Sequence, residues 1–283
     1  MRTLVFGGTG IVGSALVREC RGRGWPVLGL SRGQGEVTDR RRVDEICAAF
    51  RPDLIVNCAA FTKVDLCESD PAQAFAVNGT AVGNLVRAAA GAGARLAHLS
   101  TDYVFDGRAT APCSEEHPTA PQSVYGASKL AGEELALADG RTLVVRTSWV
   151  FGSGGANFVD TIAGRIRGGQ KSFRVVRDQL GAPTFAPFLA RAVADLGEWG
   201  ASGLVHYRNR PTVSWYEFAQ EIAGRLDPAV EVTPISTSEA PRPAPRPAYS
   251  VLAVDRFEKL AGRRVESWQD GLTSHLGQRQ RSS

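Results

Sequence analysis

Tyr125 and Lys129 stand four residues apart in Tyr125-Gly126-Ala127-Ser128-Lys129, a spacing that puts a phenol and an ammonium on one face of a helix. A free tyrosine titrates near ~10, too high for easy proton exchange at neutral pH. A neighbouring ammonium favours the phenolate, lowers that pKa and makes the phenol a usable acid or base. The pair alone also fits an ordinary surface contact on an amphipathic helix. It gains weight from Ser100-Thr101-Asp102, which closes an apolar run upstream. A hydroxyl there can hold a carbonyl oxygen while Tyr125 delivers a proton.

A second group of residues suits a nucleotide. Gly7-Gly8-Thr9-Gly10-Ile11-Val12-Gly13 follows one apolar run and opens a helical pattern, satisfying both GxGxxG and GxxGxxG. Glycine there permits a tight turn and lets the backbone approach a pyrophosphate, which the helix N-terminus then stabilises. The alternative is a purely structural glycine turn. At the end of the next strand, where an acid commonly grips a ribose, the chain reads Leu30-Ser31-Arg32. Arginine cannot accept from a 2′-hydroxyl but pairs with a 2′-phosphate. This favours NADPH, with NADH as the alternative and a solvated surface arginine as the bland reading.

The elements that must position these groups are legible from periodicity. Thr3–Phe6, Val27–Leu30, Leu54–Asn57, Leu96–Ser100 and Leu143–Thr147 read as short apolar strands. Helical patterns over 11–23, 42–50, 71–92 and 124–138 separate them. Strands apolar on both faces and joined by helices predict a parallel sheet covered on both sides. The expected class is therefore α/β: a Rossmann-type doubly wound sheet with a smaller C-terminal substrate lobe. The division expected is 1–150 for the NAD(P)-binding part and 151–283 mainly for the lobe, with segments around 173–207 returning to the sheet. Helices are expected over 186–199 and 215–226, the second capped by Ser214 with Glu217 three residues on. Pro241–Pro247 (PRPAPRP) must be an extended loop.

Composition excludes several classes. The 283 residues are 43% hydrophobic and 22% charged, with 33 Lys+Arg against 29 Asp+Glu, and the basic residues are scattered. No nucleic-acid stripe emerges. No apolar run approaches the ~18 residues of a membrane span, and no signal peptide is recognised before the first strand. Five cysteines without a CxxC or Cys/His cluster read as reduced thiols in a cytoplasm, with no metal site. The four histidines (98, 117, 206, 275) look isolated and receive no role.

Taken together, the glycine motif, Thr101 and the Tyr125/Lys129 pair resemble the extended short-chain dehydrogenase/reductases. More narrowly, the chain resembles the dTDP-4-dehydrorhamnose reductases through PDLIVNCAAFTKVD (52–65), STDYVFDG (100–107), VYGASKLAGE (124–133), RTSWVFG (146–152), VVRDQLGAPT (175–184), SWYEFA (214–219) and RPAYSVL (246–252). The resemblance implies that Thr101, Tyr125 and Lys129 are the catalytic trio. It implies Gly10, Ile11 and Val12 as the pyrophosphate turn, and Ala60, Phe61 and Thr62 as the loop passing over the cofactor. Glu36 and Val37 replace part of a DITD-like segment near the adenine. Asp102 and Trp149 are implied as substrate contacts, the indole offering a flat apolar face to a deoxysugar, and Asn78 as a structural helix residue. Gln179 and Thr184 belong to a loop that can order over a sugar nucleotide, and Arg242 and Arg246 are candidates for its diphosphate.

The activity so implied is NAD(P)H-dependent reduction of a nucleotide-linked 4-keto-6-deoxysugar. A homodimer is compatible with it. Some relatives bridge subunits through a metal held by an acid early in the first helix. Ser14 and Ala15 stand there, which argues against that mode. Two rivals stay open: a sibling reductase of another dTDP- or UDP-keto-sugar, and a non-catalytic NADP-binding regulatory subunit like that of methionine adenosyltransferase. An epimerase, which re-reduces its substrate in place, is set aside only by the resemblance.

Overall fold

The computed structural model describes residues 1–280. Six short strands form its centre: β1 (Thr3–Phe6), β2 (Val27–Leu30), β3 (Leu54–Asn57), β4 (Arg95–Thr101), β5 (Leu143–Thr147) and β6 (Gly203–His206). β1, β3 and β5 are buried at every residue, the burial expected of strands covered by helices on both faces. All pairings are parallel, and the order across the sheet is β6-β5-β4-β3-β1-β2. The chain reverses direction across the sheet between β1 and β3. In doubly wound sheets the ligand crevice opens at that switch point, beyond the carboxyl ends of the strands. The Rossmann-type class expected from the sequence is what the sheet displays.

Helices α1 (Ile11–Gly22), α2 (Arg40–Phe50), α3 (Ala81–Ala92), α4 (Val124–Leu137), α5 (Phe158–Arg167), α6 (Ala186–Glu198), α7 (Trp215–Leu226) and α8 (Trp268–Gln280) follow the chain. α1 and α6 cover one face of the sheet, where Leu16, Leu189 and Val193 meet Val5, Val56 and Val145. α2 and α3 cover the other, with Val43, Ile46 and Leu85 on Leu4, Phe6 and Ile55. A separate apolar core joins α5, α7 and α8 through Phe151, Ile162, Phe218, Ile222, Trp268 and Leu272. α7 carries the full reciprocal cap anticipated at Ser214 and Glu217.

Two local expectations need correction. Ser172–Val176 is a strand but does not return to the main sheet; it pairs in parallel with Glu231–Ile235. Its burial alternates along the chain, so one face meets solvent, unlike the central strands. Of the segment around 173–207, it is α6 and β6 that rejoin the large sheet. The expected continuous helix over 71–92 is also interrupted, by a π-helical stretch at Ala76–Thr80. This widened turn directs Asn78 inward, where its Oδ1 accepts from Phe61 N–H (2.8 Å) and its Nδ2 donates to Phe61 O (3.1 Å) and Ser128 Oγ (3.0 Å). Asn78 thereby couples the loop after β3 to α4.

α4, which carries Tyr125 and Lys129, is capped by Ser123 and anchored by a buried ion pair. Arg146 on β5 meets Glu133 with a shortest N–O distance of 2.6 Å and side-chain exposures of 4% and 1%. Three N–H···O contacts connect the two groups, and the Phe105 ring lies 5.0 Å from the guanidinium carbon. Glu133→Gln is expected to leave a buried guanidinium without its counter-charge, at a cost of about 3–5 kcal/mol, read as a lower urea midpoint with an unchanged slope.

Candidate active site

The phosphate side is built from backbone. Gly7 lies at φ +74°, and a Cβ there would fall 2.7 Å from the backbone of Cys58 and Ala59. A Cβ on Gly13 would fall 2.1 Å from Gly7 O. β1, the loop after β3 and α1 can therefore converge only on glycine. α1 starts behind Gly10 with no side-chain cap and no acid in its first turn, so its first N–H groups remain available to an anion. Next to this turn a cavity of about 230 Å³ is lined by Gly7, Gly10, Arg32, Glu36, Val37 and Phe61, among others. Arg32 is largely exposed and pairs with Glu36 at 2.8 Å, which leaves it at the cavity rim with much of its guanidinium in solvent. Ser31 does not line this cavity; its hydroxyl donates to Gln34 Oε1 (2.8 Å).

A second cavity, about 690 Å³, continues from the turn across the ends of β3, β4 and β5. It brings together Ile11, Val12 and Gly13, Ala60 and Thr62, Thr101, Asp102, Tyr125, Lys129 and Trp149. Three buried polar atoms on its lining residues have no protein partner: Ser100 Oγ, Asp102 Oδ2 and Thr147 Oγ1. Buried polar atoms are usually hydrogen-bonded. The Thr101 hydroxyl accepts from Tyr103 N–H (3.2 Å) and donates to Asp102 Oδ1 (3.1 Å). It is thus Thr101, and not Asp102, that caps the following turn.

The electrostatics differ from the sequence reading in one respect. Burial pushes the Tyr125 phenol well above its usual pKa, opposed by the Thr101 hydroxyl and reinforced by Asp102. Lys129 does not lower it here. The Lys129 ammonium turns to Leu99 O (2.6 Å) and to His98 Nε2 (3.4 Å), and burial brings its own pKa down to about 8. Tyr125 is accordingly protonated at neutral pH, the form a proton donor requires.

Trp149 also departs from expectation. Its backbone lies at φ +45°, and its indole stacks on Trp215 with ring centroids 3.6 Å apart and planes 9° from parallel. Gly181 packs against the opposite face so closely that a Cβ would come within 2.4 Å of the ring. With both faces covered, the indole meets the cavity by its edge rather than as a flat platform. Trp215 itself lines the cavity, a residue the sequence reading passed over although SWYEFA stood out. Arg246, a candidate for a diphosphate, is instead paired with Asp65 at 2.9 Å. Asp65 also accepts from Ala244 N–H (3.2 Å), so the proline-rich loop is tied to the segment after Thr62. His98, expected to be isolated, contacts Lys129; a histidine between Ala97 and Leu99 in a buried strand was the available signal.

The family of the RmlD substrate binding domain matches residues 1–281. Over 281 residues the chain is 40% identical to the dTDP-4-dehydrorhamnose reductase of Streptomyces griseus, covering 96% of this chain and 92% of that one. The chain belongs to the dTDP-4-dehydrorhamnose reductase family. It is also 39% identical to a probable dTDP-4,6-dihydroxy-2-methyloxan-3-one 4-ketoreductase of Streptomyces antibioticus, over 96% of this chain and 93% of the relative. The crystal structure of the dTDP-4-dehydrorhamnose reductase of Bacillus anthracis, in complex with NADP, superimposes with a TM-score of 0.93 at 33% identity. That match spans 98% of this chain and 99% of the other.

Asp102 supplies a pH test of the family site. Burial raises its carboxyl to about 6, against the opposing Ser250 and Thr101 hydroxyls. A carboxyl whose folded pKa exceeds its unfolded value of about 4 binds protons more tightly in the native state, so stability falls as pH rises from about 4 to 6. Asp102→Asn is expected to stabilise the fold at pH 8 by an amount on the order of 1–3 kcal/mol. That gain should shrink towards zero below pH 4 in melting curves taken across the range.

Proposed function

We propose that this protein reduces the C4 keto group of dTDP-4-dehydro-L-rhamnose to give dTDP-L-rhamnose, with NADPH as reductant. The observation that carries the reading is the single 690 Å³ cavity in which a glycine-lined helix N-terminus, Thr101, Asp102, Tyr125 and Lys129 converge. Membership of the reductase family gives that cavity its substrate class.

The residues present fit the cofactor. The close approach of Gly7, Gly13 and Ala59 leaves room only for backbone beside a pyrophosphate, and the uncapped start of α1 offers its N–H groups. Arg32 reaches the rim where a 2′-phosphate would need a cation. Glu36 and Val37 would flank the adenine side, Ala60, Phe61 and Thr62 would cover the middle, and Lys129 would hold the nicotinamide ribose. When bound, NADPH supplies the hydride for C4.

The protein's part is proton delivery and charge stabilisation. Tyr125 donates its phenolic proton to the sugar O4 as negative charge develops there. The Thr101 hydroxyl can rotate from Asp102 to the same oxygen, so two donors prepositioned by β4 and α4 stabilise the oxyanion. Asp102 takes part in holding the sugar, and the edge of Trp149, braced by Trp215, bounds the ring. The chain divides in function into a cofactor part, 1–150 with α6 and β6 added, and a mainly substrate-binding part, 151–283, whose last three residues lie outside the described ones.

The Streptomyces antibioticus relative favours a second reading, a sibling reductase of another dTDP-keto-sugar. Incubation with dTDP-4-dehydro-L-rhamnose and NADPH separates the two: cofactor oxidation with dTDP-L-rhamnose as product supports the first, and no turnover removes it. A cytoplasmic homodimer without a bridging metal completes the proposal. Ser14, at the position where a bridging acid is required, bonds Ile11 O (3.3 Å) and Ser153 O (3.4 Å); light scattering with and without chelator checks the assembly.

Tyr125→Phe is expected to lower kcat by ~10²–10⁴-fold with NADPH affinity retained; near wild-type turnover removes Tyr125 from the acid role. Arg32→Asp is expected to move preference from NADPH towards NADH, read as the ratio of kcat/KM values. A wild type that binds NADH at least as tightly as NADPH overturns the Arg32 assignment.

A further inference from the structure

His98 is fully buried in the middle of β4, and its two ring nitrogens face different elements. Nδ1 lies 3.0 Å from Asn57 Nδ2 at the end of β3, and Nε2 lies 3.4 Å from Lys129 Nζ on α4. The orientation of the Asn57 amide is decided by its other end, where Oδ1 accepts from Ala59 N–H at 3.1 Å. Flipping the amide would set an NH₂ against that N–H. Asn57 therefore donates to His98, and Nδ1 must be the acceptor. Burial and the nearby Lys129 hold the imidazole far below its usual pKa, so the ring is neutral and its one proton sits on Nε2. An N–H donor thus faces the lysine nitrogen.

An ammonium has no lone pair to accept that hydrogen. Its one short protein bond is to Leu99 O at 2.6 Å, and only the neutral amine can also accept from His98. The other groups around Lys129 are few. Glu133, one turn along α4, favours the ammonium but is itself paired with Arg146 on β5. Cys58, after β3, is a thiol pushed up to about 12 by burial. Tyr125, one turn back on α4, is held protonated. Among these neighbours His98 is the one whose contact favours loss of a proton from the lysine.

We propose that His98 is a positioning residue that acts through Lys129: its Nε2–H, oriented by Asn57 at the end of β3, faces the lysine nitrogen and favours its neutral form. The consequence is a lysine that titrates within reach of physiological pH and is linked mechanically to Ala59, next to the loop that covers the cofactor. The proposal rests on the reductase reading for its catalytic meaning but not for its geometry.

Two measurements test it, and they fail independently of the reductase reading. The first needs no substrate: long-range ¹H–¹⁵N correlation on the full chain labelled with ¹⁵N-histidine, from pH 5.5 to 9.5. The His98 signal is identified by its loss in His98→Gln, or by elimination with variants of the other histidines. A ring fixed as the Nε2–H tautomer is expected, neutral through the usual histidine range and shifting with a midpoint near 8 as Lys129 titrates. An Nδ1–H tautomer, or protonation between pH 6 and 7, overturns the proposal. The second is the pH profile of kcat/KM with NADPH and dTDP-4-dehydro-L-rhamnose. In His98→Gln the side-chain carbonyl can accept from the ammonium, so the basic limb is expected to move up by about one pH unit, with melting temperature retained. A folded variant whose profile is scaled down but not shifted makes His98 merely structural. No turnover in the wild type, with the tautomer result intact, rejects the reductase reading alone.

Discussion

A side chain at position 13 would fall 2.1 Å from the carbonyl oxygen of Gly7, and the first half of the sheet is arranged around that near-contact. The same Gly7 backbone leaves no room for a Cβ against Cys58 and Ala59. The first strand, the first helix and the loop after the third strand are thus held at backbone separation. Nothing bulkier than hydrogen fits between them, so the helix N-terminus lies directly at the switch point of the sheet. Everything further along the crevice takes its position from this junction: Asn57 and Ala59 begin the loop, Phe61 is fastened by Asn78, and Asn78 bonds Ser128 on α4.

The ionisable groups of the crevice lose hydration through that proximity. Tyr125, Lys129 and Asp102 are each displaced in pKa chiefly by burial. Around Asp102 and Lys129 the charged and hydroxyl neighbours named oppose the shift without cancelling it, whereas Asp102 adds to that of Tyr125. Desolvation of this kind strengthens every polar contact a ligand makes, and it leaves Ser100, Asp102 and Thr147 with partnerless atoms in the same wall. The ion pair of Arg146 and Glu133 sits directly behind it and keeps α4 from yielding.

Much of this was legible in the order of residues, for identifiable reasons. Strand burial follows from runs apolar on both faces, and the glycine turn and the Tyr125/Lys129 spacing are local patterns that survive folding unchanged. What escaped depends on distant chain. That Lys129 turns to Leu99 O and His98 instead of the phenol follows from the packing of α4 on β4, which no spacing within one helix encodes. Trp149 reads as an open platform until Gly181 and Trp215, 32 and 66 positions away, are seen to cover its two faces. Ser172–Val176 begins with alternating polar and apolar residues, and its alternating exposure places it in a two-stranded sheet. Asn78 was legible as a structural helix residue, but the π-helical turn that directs it inward was not, since its extra residue leaves no periodic mark.

The sixth strand has a consequence for how the molecule can be made. β6 enters the sheet parallel to β5, with Gly203 opposite Leu143 and His206 opposite Arg146, after the chain has already traversed α5 and the start of the second core. During synthesis the first 150 residues leave β5 as a naked hydrogen-bonding edge of apolar residues, the kind of edge that recruits other chains. α6 must also arrive before α1 is covered on its outer side. The large sheet and the second apolar core are consequently interleaved along the polypeptide and do not exist as two cassettes in series. A single crossover near residue 150 between relatives would transplant the closing strand of the sheet together with the second core.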